Sequence, residues 1–132
     1  MDANVLVALA DEHDDLYERA ARDLKRLRRG PFGSTVPVLS ETFHILSTGY
    51  LRGRLRSLLK RLDLAIVEVP AGAWEAIFDW MERYQEHGPD LADAQLVALA
   101  GTATSFRVWS YDKEFWTVWR RTDGTRVPIA VR

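Results

Sequence analysis

The sequence predicts an α/β fold in which helices flank a mainly parallel sheet, and three observations predict it. Short extended runs at residues 32–35, 64–69, 106–111 and 126–131 alternate with stretches of helical period. Gly30-Pro31, Pro70 and Gly88-Pro89 punctuate the junctions. Asp90-Leu91-Ala92-Asp93-Ala94-Gln95-Leu96-Val97-Ala98-Leu99-Ala100 reads as a helix of good helix formers, with Asp90 as its N-cap. Parallel strands need crossovers of about a dozen residues or more, and the helical stretches supply them.

Composition bounds the answer. The chain has 132 residues, 47% of them hydrophobic, which suits a single domain over residues 1–132. It has no cysteine, so disulfide scaffolds and thiol chemistry are excluded. No apolar run approaches the roughly 20 residues that span a bilayer, and no signal-peptide pattern opens the chain; a cytoplasmic protein is expected. Net charge is −1, from 18 basic and 19 acidic residues. The basic residues are bunched: Arg19, Arg22, Lys25, Arg26, Arg28 and Arg29 form one block, Arg52, Arg54, Arg56, Lys60 and Arg61 another. Such blocks either solvate outer helix faces or attract a phosphate backbone.

Taken in order, the chain opens with an apolar run from Asp2 to Ala10, whose polar members are Asp2 and Asn4. A helix follows from Asp14 to Arg29 on the stripe Leu16, Ala20, Leu24 and Leu27, and Gly30-Pro31 ends it. Phe32 to Thr35 is extended, and Ser34 or Thr35 caps the next helix, with Pro37 in its first turn. In that helix Glu41 falls between Val38 and Ile45, an acid on an apolar face. Residues 50–62 read as a basic helix weakened at Gly49 and Gly53, and Leu64 to Val69 as a strand ended by Pro70. Ala71 to Glu86 is helical, with Trp74, Ile77, Phe78, Met81 and Tyr84 as its buried stripe. Phe106 to Tyr111 is a strand with Asp112 at its C-terminal end; a short helix around Phe115 to Trp119 and a final edge strand at Arg126 to Val131 complete the chain. His13, His44 and His87 carry no motif.

Four acids stand out against this frame. Asp93 opens an apolar stripe with Leu96, Val97 and Ala100; two Asp in a first turn also simply suit the helix dipole. Glu41 either snorkels at a rim or faces a site. In open α/β sheets ligands bind beyond the C-terminal ends of the strands, and Asp2, Glu41, Asp93 and Asp112 all map to that rim. Two ionised carboxylates about 4 Å apart repel by roughly 4 kcal/mol at an effective dielectric of about 20, so such a group needs protons or a cation. An all-oxygen donor set favours Mg2+ or Mn2+ over zinc. A hard ion of that kind activates water against a phosphodiester, and nearby basic helices fit a nucleic-acid substrate.

Four segments carry a resemblance. They are Asp2-Ala3-Asn4-Val5-Leu6, Ser40-Glu41-Thr42-Phe43, Asp90-Leu91-Ala92-Asp93-Ala94 and Ser110-Tyr111-Asp112-Lys113-Glu114-Phe115. In that order they resemble the acidic motifs of PIN-domain ribonucleases, specifically the VapC-like toxins of type II toxin–antitoxin systems, over essentially the whole chain. The resemblance implies a PIN-like three-layer fold and one or two Mg2+ or Mn2+ ions. It implies Asp2, Glu41, Asp93 and Asp112 as the catalytic and metal-holding acids, and Asn4 and Ser110 as groups that orient carboxylates and water. Asp90 and Glu114 are weaker additions. The implied activity is endonucleolytic RNA cleavage restrained by a cognate antitoxin protein, and the implied assembly a homodimer. A catalytically impaired PIN-like module that binds RNA or protein is the alternative, and a DNA-directed nuclease on the same acids a third. Proteins resembling this chain carry a full apolar strand ahead of the first Asp, whereas Met1 alone precedes Asp2 here. The expectation is exposed apolar surface, an Asp2 on a mobile terminus, and weakened metal binding there.

Overall fold

Two of the most apolar stretches become helices buried on nearly every side. They are α1 (Ala3–Ala10) and α6 (Leu91–Ala100). In α1 all but Asn4 is buried, and a helix apolar around its whole circumference belongs inside a core. Each of Val5, Leu6 and Leu9 contributes about 1.5–3 kcal/mol of burial. The remaining elements surround these two: α2 (Tyr17–Arg26), β1 (Gly33–Ser34), α3 (Val36–Ile45), α4 (Gly49–Arg61), β2 (Ala65–Ile66), α5 (Trp74–Arg83) and α7 (Glu114–Thr117). Helix α1 packs against α2, α3 and α4, while α6 packs against α3 and α5. The computed structural model describes residues 1–27 and 29–132; Arg28 of the first basic block lies outside them. Among the described residues no helix is long and apolar enough to cross a membrane.

Local signals set most of the helix ends. Thr35 caps α3 through Val38 N–H (3.5 Å), with Pro37 in the first turn. Gly88, at φ 58°, closes a 3-10 turn (Gln85–His87) in the left-handed conformation that glycine takes without strain, just ahead of α6. Several expectations need correction. The second helix begins at Tyr17 and ends at Arg26, because Asp14 holds the preceding residues in a turn by accepting from Leu16 N–H (2.8 Å). Helix α4 runs unbroken from Gly49 through Gly53, since Thr48 caps it and Leu55 and Leu58 bury one face. The 71–86 stretch divides into a 3-10 turn (Ala71–Ala73), α5 and the turn at Gln85–His87. Its buried residues are Ile77 and Trp80, and Phe78 stands outside. Trp80 takes the inner place because its ring packs on Trp119 (5.6 Å) and its indole N–H reaches Arg120 O (2.7 Å).

The sheet is α/β in kind but small. β1 and β2 pair in parallel, Gly33 with Ala65 and Ser34 with Ile66. The approach is tight: a Cβ on Gly33 would stand 2.9 Å from Val67 Cγ2. The expected strands at 64–69, 106–111 and 126–131 contract to β2, a parallel bridge between Val108 and Ile129, and an antiparallel bridge between Arg120 and Arg126. The physical reason lies between the two parallel pairs. The Met1 nitrogen donates to Gly33 O (2.7 Å) on one side, and Asp2 N–H donates to Trp109 O (3.0 Å) on the other. That alternation is the hydrogen-bonding of a central strand, and it stops where the chain turns into α1 at Ala3. Beside them a groove of about 570 Å3 opens, lined by Phe32, Val67, Leu96, Leu99, Phe106 and Ile129. Phe106 on its rim is exposed. A mobile Asp2 is not what the fold shows: Asp2 is buried and pinned at both its backbone and its side chain.

Candidate functional site

Asp2 is the centre to which the other polar groups are tied. It is the N-cap of α1, and its Oδ1 accepts from Ala3 N–H (2.7 Å). Its Oδ2 accepts from the Ser110 hydroxyl (2.6 Å) and from Asn4 Nδ2 (3.1 Å). Asn4 Nδ2 also reaches Ser110 Oγ (3.1 Å), and Asn4 Oδ1 accepts from Tyr111 N–H (3.1 Å). Ser110 Oγ accepts from Asp112 N–H (3.1 Å), and Asp112 Oδ1 accepts from Glu114 N–H (3.0 Å). Residues more than a hundred positions apart thus form one network around a carboxylate only 5% exposed.

Asp93 and Asp90 form a reciprocal capping box at the start of α6. Asp90 Oδ1 accepts from Asp93 N–H (2.9 Å), and Asp93 Oδ2 from Asp90 N–H (3.0 Å). Asp90 is exposed and acts as a cap. Asp93 is half-buried, and Leu96, Val97 and Ala100 on its face are buried. Glu41 stands exposed on α3. The buried residues of that helix are Val38 and Thr42, and Ile45, expected on the same face, is half-exposed, because Thr42 returns its hydroxyl to Val38 O (2.7 Å). Glu114 makes an ion-pair contact with His87 at 3.8 Å when the imidazole is protonated.

The carboxylates feel one another. Burial raises the Asp2 carboxyl above the usual range, and the Asp112 charge adds to that; the Ser110 and Ala3 hydrogen bonds oppose it. Glu41 is raised by desolvation of its carboxyl, then by the charges of Asp90 and Asp2. Asp93 is pushed up to about 8, first by burial and then by the charges of Asp90 and Asp2. The charge of Asp2 thus acts on Glu41 and Asp93, and that of Asp112 on Asp2. Among the described residues no three His, Asp or Glu stand together as a finished metal cage. The donor set fits a hard divalent ion in type and charge; its coordination geometry is not assembled.

The basic blocks are partly committed to the fold. Arg52 donates to Leu46 O (2.9 Å) and Phe43 O (2.8 Å), the carbonyls that end α3. Arg54 donates to Ala10 O at the end of α1 (2.7 Å) and stands 4.0 Å from Glu12. Arg19 and Arg26 flank Asp23. Arg22, Lys25, Arg29, Arg56, Lys60 and Arg61 stay exposed.

A family model described as the PIN domain matches residues 1–119. The chain belongs to the PIN-domain family. PIN domains are in general nucleases, hydrolases that typically use divalent metal ions. No curated protein and no solved structure matches this chain.

Sequence reasoning passed over two residues of this PIN domain. Tyr111 lies within the fourth acidic motif without being one of its acids, and Asp23 lies outside all four motifs. Asp23 lies seven residues beyond Leu16, three beyond Ala20 and four before Leu27, so it too is an acid on an apolar stripe. The test that singled out Glu41 and Asp93 would have found it.

Proposed function

We propose that this PIN domain is a metal-dependent endoribonuclease that hydrolyses RNA phosphodiester bonds at Asp2, Glu41, Asp93 and Asp112. The supporting observation is the buried Asp2 carboxylate, held by Ser110 and Asn4, with Glu41 and Asp93 raised first by burial and then by the charges of Asp90 and Asp2. Carboxyls whose proton affinity is raised by burial and by neighbouring acids are poised to exchange protons for a cation. A bound Mg2+ or Mn2+ would supply charge neutralisation, an activated water and stabilisation of the leaving oxygen. The chain's own part is orientation. Ser110 and Asn4 fix which lone pairs of Asp2 stay free, and Ser110 and the Glu114 amide steer Asp112. Asp90 keeps the first turn of α6 formed, so that Asp93 is presented from a rigid end.

The finer reading is a VapC-like toxin held in check by an antitoxin protein and acting as a homodimer. Its support is the order of the four acidic motifs, together with exposed apolar side chains at Val36, Phe43, Ile45 and Tyr50 that a protein partner would cover. The exposed Arg56, Lys60 and Arg61 suit a phosphate backbone. A second reading, a PIN-like module that binds RNA or protein without cleaving it, is favoured by the lack, among the described residues, of any three acids grouped to hold a metal.

One assay separates the two. RNA and single-stranded DNA are incubated with the protein and Mg2+ or Mn2+, with and without chelator, and with Asp93→Asn. Metal-dependent RNA cleavage that chelator and Asp93→Asn both abolish is expected. RNA bound but left intact under every metal would support the non-cleaving module, and DNA cut in preference to RNA would reassign the substrate.

A further inference from the structure

Helix α2 carries a buried carboxylate for which the proposed reaction has no use. Asp23 is 4% exposed. Removing an ionised carboxylate from water costs several kcal/mol unless partners compensate. Arg19 and Arg26 approach it only to 3.9 and 3.7 Å, the outer range of an ion pair, and the Arg26 side chain lies largely in solvent. The short bond comes from a different part of the fold: the Tyr111 hydroxyl donates to Asp23 Oδ2 at 2.8 Å. The Arg19 guanidinium lies over the Tyr111 ring at 4.5 Å, so α2 grips this side chain at both face and tip.

Tyr111 sits where strand pairing has run out. The parallel bridge is at Val108, and residues 109–112 lie outside any strand. Yet this stretch presents Ser110 and Asp112. Tyr111 N–H donates to Asn4 Oδ1 (3.1 Å), and Asn4 Nδ2 donates to Asp2 Oδ2 (3.1 Å). A continuous path of hydrogen bonds, passing through the body of Tyr111, joins Asp23 on α2 to Asp2 on α1. An aliphatic side chain at position 23 would fill an apolar face at less desolvation cost, so the carboxylate serves orientation better than stability.

We propose that Asp23 is a positioning residue. By holding the Tyr111 hydroxyl it fixes the backbone that aims Asn4 and Ser110 at Asp2 and sets Asp112 beside them. The consequence for metal binding rests on the reading given under Proposed function; the positioning itself does not.

The experiment therefore has two readouts on the full chain. Amide hydrogen exchange in metal-free protein reports position, and Mn2+ affinity by electron paramagnetic resonance reports the consequence. Tyr111→Phe and Asp23→Leu should each speed exchange at Tyr111 and Asp112 roughly tenfold, the loss expected for one charge-assisted hydrogen bond. Amides of α6 should hold their wild-type protection. Asp23→Asn, which keeps an acceptor for the hydroxyl, should recover most of what Asp23→Leu loses. Mn2+ affinity should fall about tenfold in Tyr111→Phe and Asp23→Leu. Unchanged exchange at Tyr111 and Asp112 in both variants overturns the proposal. So does loss of protection spread equally over α6, which would mean general destabilisation. A wild-type protein that binds no Mn2+ would instead overturn the metal reading, with the exchange result still deciding the role of Asp23.

Discussion

At Asp93 two demands meet on one carboxylate. It closes the capping box of α6 and faces the charge of Asp2, and its pKa is raised to about 8. Asp93→Asn keeps an oxygen acceptor for Asp90 N–H, so the fold should persist while RNA cleavage drops by at least about a hundredfold, read in a gel assay with Mn2+. Ser110 makes a different prediction. It gives Asp2 its shortest hydrogen bond and accepts from Asp112 N–H. Ser110→Ala leaves a buried carboxylate short of a donor, at a cost of about 1–3 kcal/mol in urea unfolding. A change under about 0.3 kcal/mol would show that Asn4 alone is sufficient.

At the scale of elements, arginines act as helix ends and the sheet pairs only two short strands among the described residues. Arg52 satisfies the last carbonyls of α3, whereas Arg56 on the same helix points to solvent. Arg52→Ala should cost about 1 kcal/mol of stability, and Arg56→Ala next to none, in parallel thermal melts. The groove beside Met1 gives a second test. Four apolar residues added ahead of Met1 would bury side chains worth about 1.5–3 kcal/mol each, against about 1–2 kcal/mol per residue of backbone ordering. The melting temperature should rise by several degrees, and four Ser or Lys residues should not raise it. A matched Mn2+ titration asks whether the short strand weakens metal binding. Tighter binding by the extended chain is expected, and equal affinities would mean that Ser110 and Asn4 already hold Asp2 in place.

For the whole molecule, the crowded acids should shape stability against pH. The folded-state pKa values of Asp2, Glu41 and Asp93 lie above their ordinary values. Such groups bind more protons folded than unfolded, so their favourable contribution is complete below about pH 4 and is lost as pH rises through the folded pKa. For Asp93 that loss extends to about pH 8. The metal-free melting temperature should therefore fall between about pH 5 and 8, the range in which folded Asp93 holds a proton that the unfolded chain has lost, and Asp93→Asn should flatten the slope. Saturating Mn2+ should restore stability at pH 8, by about 2.7 kcal/mol at a hundred times its dissociation constant. A slope of the opposite sign would mean that the acids do not share one environment.

Elements whose signals are local can be read from the residues alone. The Asp90 cap, the Thr35 cap with Pro37, the Ala- and Leu-rich burial of α6 and the stop at Gly88-Pro89 depend on neighbours a few residues away, and each is where the residues place it. The alternation of helix and strand, and with it the α/β class, follows from the same short-range periods. Tertiary structure decided the rest. Strand length depends on who lies alongside, so the 64–69 and 106–111 runs are short where Met1 and Asp2 pair between them and the chain turns into α1 at Ala3. The work of a charged side chain depends on which carbonyl or carboxylate the fold brings near: Arg52 and Arg54 turned inward to helix ends, and Asp23 reached Tyr111 across 88 positions. Short-range propensity is written in spacing along the chain, whereas hydrogen-bond partnership and burial arise only once distant segments are packed together.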